Sequence, residues 1–174
     1  MPHRLSQKEI FKKGRFLIKD IELQLDNTQT TTFQVWEKAD TAMIVPLTAD
    51  GNIIFIKEYQ TALDEIMLSL PHGRIEKGEQ SLETANKELQ EEIGYKAEKL
   101  DHIATFTAFP GYISAKTHIY LARDLVESKL PGDEQWALEI ETYPLKDFEK
   151  LIDEKRLTEG RMIAALYESR RFLR

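Results

Sequence analysis

The chain has 174 residues, 41% of them apolar, no cysteine and a formal net charge of −6. That length and apolar share suit one ordinary globular core with a small N-terminal extension; the lack of cysteine excludes disulfides and thiolate metal sites, and net acidity excludes a general attraction for nucleic-acid phosphates. The opening MPHRLSQKEIFKKG has no apolar stretch of signal-peptide length, and no run approaches the roughly 18 apolar residues of a membrane span, so the expectation is a cytoplasmic protein with neither a membrane nor a nucleic-acid partner.

In chain order, Phe16 to Leu25 alternates polar and apolar residues at its end, and Thr30 to Glu37 places Phe33 and Val35 on one side. Both read as half-exposed strands, with Asp26-Asn27 as a hairpin turn between them. Ala42 to Leu47 is almost wholly apolar and reads as a buried strand. Asp50-Gly51-Asn52 signals a turn and Ile53 to Tyr59 a further strand. Ser81 is the expected helix N-cap, with Glu83 in the first turn. Leu82, Ala85, Leu89 and Ile93 then form an apolar stripe, and Gly94 stops the helix. The segments Ile103 to Phe109, Thr117 to Ala122 and Leu138 to Tyr143 are strand-like. Lys146 to Ile152 suggests a short helix, and Arg161 to Phe172 a longer one whose buried side carries Met162, Ala165, Leu166 and Phe172. This mixture predicts an α/β (α+β) sandwich. Residues 1–40 read as a β-rich extension and 41–174 as the main domain. His102 and His118 lack metal-ligand spacing and read as structural. Arg170, Arg171 and Arg174 read as a solvated helix end.

The chemistry concentrates between Gly73 and Tyr95. On an α-helix, Glu88 and Glu92 lie one turn apart on one face, with Glu91 about 60° from Glu88. Like charges so close repel by tenths of a kcal/mol per exposed pair. Taken alone, the three glutamates suit either a solvated acidic face or a divalent-cation site. Mg²⁺ takes oxygen ligands, commonly one or two carboxylates plus substrate phosphate, and a carbonyl of the Pro71-His72-Gly73 loop would add another.

The pattern as a whole resembles the Nudix box, G-x5-E-x7-R-E-U-x-E-E-x-G-U. Gly73, Glu79, Glu88, Leu89, Glu91, Glu92, Gly94 and Tyr95 all stand at its offsets. Lys87 occupies the family's arginine position, keeping the charge but not the planar fork. The resemblance implies a Nudix α/β/α sandwich with a mixed sheet, a hydrolase cutting a nucleoside-diphosphate bond, and Mg²⁺ (or Mn²⁺) as cofactor. It also implies Glu88 and Glu92 as metal ligands with the His72 carbonyl, Glu91 assisting, Lys87 holding the box, and Glu79 stabilising the loop.

Pro110, fifteen residues after Tyr95, together with Lys57-Glu-Tyr59, Ser114 to Tyr120 and Gly132-Asp-Glu134, is similar to the ADP-ribose pyrophosphatase and ADP compounds hydrolase group. That similarity implies a loop glutamate as the base that activates water. Glu134 is the candidate, with Asp133 and Glu139 as alternatives. It also implies a homodimer whose extension contributes to the partner's base site. Trp36 either stacks on an adenine there or is buried at the dimer interface. Phe109 and Tyr112 are comparable stacking candidates, and Gln60 stands where the group has a substrate-binding arginine. His72 replaces a small residue, so its imidazole either meets substrate phosphate or faces water. The expected substrates are ADP-ribose, NADH or a diadenosine polyphosphate. The alternatives are a GDP-sugar such as GDP-mannose, or a Nudix domain that binds a nucleotide without turnover.

Overall fold

Apolar runs flanked by turn residues place the strands, and the computed structural model describes residues 1–26, 29–132 and 138–174. Two units emerge. The first joins Met1–Asp40 with Thr107–Lys116; the second joins Thr41–Phe106 with Thr117–Arg174.

In the first unit, β1 (His3–Lys13), β2 (Phe16–Gln24) and β3 (Thr30–Glu37) form an antiparallel sheet in that order. Sequence reading misses β1, whose charges mask any alternation; all eleven of its residues are exposed. Of the expected Asp26-Asn27 turn, Asn27 lies outside the described residues. Asp26 is bonded as a turn residue, its carboxylate accepting the Gln29 N–H at 2.9 Å. Ile21 is the one buried apolar side chain of this unit among the described residues, while Leu5, Ile10, Phe11, Phe16 and Phe33 stand about half exposed. The segment 107–116 belongs here because Trp36 donates its N–H to the Tyr112 carbonyl at 2.8 Å and Ser114 donates to the Trp36 carbonyl at 3.2 Å.

The second unit holds two sheets. One runs β10–β5–β6, with β5 (Asn52–Gln60) antiparallel to both β6 (Glu65–Ser69) and β10 (Glu139–Pro144). The other runs β7–β4–β9–β8, built from β4 (Thr41–Pro46), β7 (His72–Arg74), β8 (Tyr95–Thr107) and β9 (Lys116–Glu127). It is mixed: β4 is antiparallel to β7 and parallel to β9. Strands β8 and β9 run well beyond the predicted limits, because their charged outer residues dilute the apolar signal.

Alternation along β4, β5 and β9 divides the interior in two. Met43, Val45, Ile53, Phe55, Ile119 and Leu121 face one core, completed by α2 (Glu149–Asp153) and α3 (Gly160–Phe172). Ala42, Ile44, Ile54, Ile56, Tyr120 and Ala122 face the other, completed by α1 (Ser81–Glu88) and the turn Leu89–Ile93. Strands buried on both faces need continuous apolar runs, which is why β4 reads so plainly. Helices on the two sides make the α/β/α sandwich.

Two helix faces differ from expectation. Gln80, not Ser81, is the N-cap of α1. The Ser81 hydroxyl instead meets the Tyr120 hydroxyl at 2.6 Å, and Leu82 is left 48% exposed. In α3 the stripe is Met162, Ala165, Leu166 and Ser169, whereas Phe172 is 49% exposed. Ten residues at ~100° each turn Phe172 about 80° away from Met162, and Ser169 fits the tight contact by donating its hydroxyl to the Ala165 carbonyl at 2.8 Å. Leu166 is fully buried among α3 and the first core. Leu166→Ala is expected to cost about 2–5 kcal/mol, measured as a shift in the urea midpoint at unchanged slope.

Candidate active site

The loop from β6 to α1 and the helix that follows carry the site, all within the second unit. After α1 the chain does not continue as an α-helix. Leu89–Ile93 is a π-helical turn, closed by the Gly94 N–H donating to the Leu89 carbonyl five residues back. Gly94 ends it at φ 77°, a left-handed conformation that suits glycine. Such turns are rare and recur at functional sites. The α-helical wheel used to place Glu88, Glu91 and Glu92 therefore fails for the last two.

Three main-chain carbonyls at this widened turn accept bonds from residues 128–130. Leu130 N–H donates to the Gln90 carbonyl at 3.2 Å and Ser128 N–H to the Gly94 carbonyl at 2.8 Å. Lys129 Nζ meets the Glu91 carbonyl at 2.6 Å. These partners, 34 to 40 residues ahead in sequence, give no local signal and are missed by sequence reasoning. Gly132 lies where an added Cβ would stand 3.4 Å from the Glu91 carbonyl oxygen.

Each box residue has a defined place. Glu92 is only 8% exposed, and its Oε2 accepts the His72 N–H at 3.1 Å. The Glu88 carboxylate packs against Gly73 so closely that any Cβ at that position would collide with it. Both glutamates thus meet the same two residues at the start of β7. Glu91 is instead held by Lys87, Nζ to Oε2 3.1 Å. Glu79 accepts the Glu76 N–H at 3.1 Å and the Thr84 hydroxyl at 3.2 Å, fastening loop to helix. The His72 ring turns inward, its Nδ1 3.0 Å from the Leu70 carbonyl, so that nitrogen carries the proton. The Lys87 amine is pushed above its ordinary value of 10.5, chiefly by its hydrogen bond to Glu91; burial is the next largest effect and opposes the rise, and the charges of Glu91, Glu88 and Glu79 add to it. A raised lysine keeps its pair below the unfolded value and loses it only as pH rises through the folded one, so the Lys87–Glu91 hold persists across neutral pH.

The donor set discriminates among cations. Among the described residues no three His, Asp or Glu side chains form a metal-holding cluster. Two carboxylates and main-chain oxygens suit a hard ion that completes its shell with water and phosphate, and lack the nitrogen and sulfur donors typical of zinc.

The other predicted residues scatter. Gln60 ends β5, its carbonyl accepting the Leu63 and Asp64 N–H groups. Glu139 starts β10 and pairs with Lys57 at 3.2 Å; Asp133 and Glu134 lie outside the described residues. Trp36, Phe109 and Tyr112 come together in the first unit. Trp36 stacks on Phe16 with centroids 5.1 Å apart and has Lys38 over its ring at 5.7 Å, while Phe109 and Tyr112 are largely exposed. Three buried polar atoms escaped sequence reasoning. Trp36 Nε1, Glu58 Oε2 and Arg123 Nε have no hydrogen-bond partner among the described residues. The signal for Glu58 was a charge on the strand face of Ile54 and Ile56.

The NUDIX domain model matches residues 37–166. The ADP-ribose pyrophosphatase of Bacillus subtilis (strain 168) is 30% identical over 169 residues, covering 93% of this chain and 91% of that protein. The ADP compounds hydrolase NudE of Escherichia coli (strain K12) is 29% identical over 175 residues, covering 99% and 94%. A crystal structure of an ADP compounds hydrolase superposes with a TM-score of 0.89 at 29% identity, over 99% of this chain and 94% of the other. Gly73→Ala is expected to displace Glu88 and lower activity about tenfold or more, as loss of a ligand-orienting contact does, with a nearly unchanged melting temperature. Wild-type activity in that variant would separate the glycine from the site.

Proposed function

The chain belongs to the NUDIX family of hydrolases, and from that membership we propose that it splits the diphosphate bond of ADP-ribose or a related adenine compound, releasing AMP, with Mg²⁺ as the preferred cation. Nudix hydrolases generally use divalent metal ions and act on small nucleotide substrates. The observation that carries the proposal is the convergence of Glu88 and Glu92 on the His72-Gly73 main chain. It supplies a hard-oxygen donor set where a diphosphate can complete the shell.

In this reading Glu88, Glu92 and the His72 carbonyl hold the cation, which when bound neutralises diphosphate oxygens and lowers the pKa of water. Glu91 assists, fixed by Lys87 at 3.1 Å. A lysine holds one oxygen as a point charge where an arginine would grip two, so Glu91 keeps more freedom here. Glu134 takes the proton from the attacking water. It is favoured over Glu139, which already pairs with Lys57. Gly132, two residues before Glu134 in sequence, lies against the carbonyl of Glu91. Trp36, Phe109, Tyr112 and Gln60 serve substrate binding. The exposed Leu5, Ile10, Phe11, Phe16 and Phe33 of a sheet with almost no core of its own support a homodimer formed through the extension.

Incubation with Mg²⁺ and ADP-ribose, NADH, diadenosine polyphosphate or GDP-mannose, followed by detection of the released nucleotide, tests the substrate. AMP from an adenine compound is expected. GMP from GDP-mannose alone would reassign the base, and no turnover would make the chain a nucleotide-binding domain. Glu134→Gln is expected to lower kcat by about 100-fold or more, within the range of general-base loss, with cation affinity retained. Loss in Glu139→Gln with activity kept in Glu134→Gln would relocate the base.

A further inference from the structure

A cavity of about 270 Å³ opens on the side of the β10–β5–β6 sheet away from α1. Lys57 follows Phe55 on that face, Leu68 pairs with Lys57, and Glu141 pairs with Phe55. Ile66 forms an apolar rim at 71% exposure. Lys155, Arg156 and Thr158, in the segment between α2 and α3, close the other side. Glu88 and Glu92 belong to the opposite layer, so this cavity is not part of the diphosphate site.

Lys155 is the informative residue. Helix α2 ends with Lys155 N–H donating to the Ile152 carbonyl at 2.9 Å and Arg156 N–H donating to the Leu151 carbonyl at 2.8 Å. This paired ending forces the residue after the cap into the left-handed region, where glycine is preferred because it has no Cβ. Lys155 sits there at φ 58°. A lysine with backbone strain, where glycine would be free of it, points to a use for the side chain. Its amine has no hydrogen bond or ion pair among the described residues. The neighbouring charges are already oriented. Arg156 is fixed by Glu141 at 2.6 Å, and Lys57 leans on Glu139, which is 76% exposed.

The geometry points to a binding site for a small sugar phosphate. Lys155, Lys57 and the Thr158 hydroxyl offer donors for a dianionic phosphate, which a −6 chain holds only where cations cluster. Glu65 and Glu141 accept hydrogen bonds from sugar hydroxyls, and Ile66 covers a C–H face of the ring. The volume lies just under the range of about 300–1,000 Å³ usual for larger ligands, which fits a pentose or hexose phosphate and leaves no room for a dinucleotide.

The test is calorimetric titration of the 174-residue chain with ribose 5-phosphate in EDTA, which disables the diphosphate site, with ribose and inorganic phosphate as controls. One saturable site for ribose 5-phosphate is expected, with much weaker binding of either control. Lys155→Gly is expected to weaken binding about tenfold, the loss of one charged hydrogen bond. Its melting temperature should be equal or higher, and its hydrolase rate without sugar phosphate unchanged. Thr158→Val is expected to weaken binding several-fold. No saturation, wild-type affinity in Lys155→Gly, or equal affinity for inorganic phosphate would each overturn the assignment. None of these outcomes bears on which nucleotide is hydrolysed.

Discussion

The carboxylate of Glu92, almost out of solvent and accepting the His72 amide, ties the start of β7 to the turn that ends the helix. A buried carboxylate is costly unless its oxygens are engaged. Its position therefore constrains both partners: the strand must present an N–H, and the helix must deliver position 92 inward. The π-helical turn meets the second demand, since a widened turn rotates Glu92 differently from the α-helical continuation. His72 meets the first with its own N–H, and Gly73 beside it lets the backbone approach Glu88 where no side chain would fit.

Around that tie, the second unit supplies rigidity. Strands β4, β5 and β9 are buried on both faces, with α1 on one side and α2 and α3 on the other. The glutamates project from an element whose apolar side, Ala85, Leu89 and Ile93, is locked into a core. Lys87 and Lys129 then restrain Glu91 from two directions, one by its carboxylate and one by its carbonyl. Sites built on packed helices hold their geometry better than sites on free loops, and this one uses β7 only for main-chain groups.

The first unit follows a different logic. Its sheet has one buried apolar side chain among the described residues, too little for independent stability of a three-stranded sheet. Aromatic residues gather in it instead. Trp36 stacks on Phe16 and bonds through its backbone to Tyr112. Sequence reading placed Phe109 and Tyr112 beside a Pro-Gly turn of the main domain. Main-chain bonds to β3 draw their segment into the extension, a pairing across some 75 residues that no local pattern reveals.

Local chemistry was enough to reveal β2 to β5 and β10, the helix over the box and the identity of its charged residues. Strand alternation, glycine stops and spaced glutamates act over a few residues, so they are written in the chain itself. The ends of β8 and β9, the strand β1, the exposure of Leu82 and Phe172 and the π-helical turn were decided by tertiary structure. In each case the outcome depended on which distant surface the segment met: Tyr120 for Ser81, the first core for Ser169, residues 128–130 for the turn. The sequence named the glutamates. Packing over tens of residues decided that Glu92 and Glu88 share the start of β7 while Glu91 turns to Lys87, because burial and hydrogen bonding reward contacts without regard to separation along the chain.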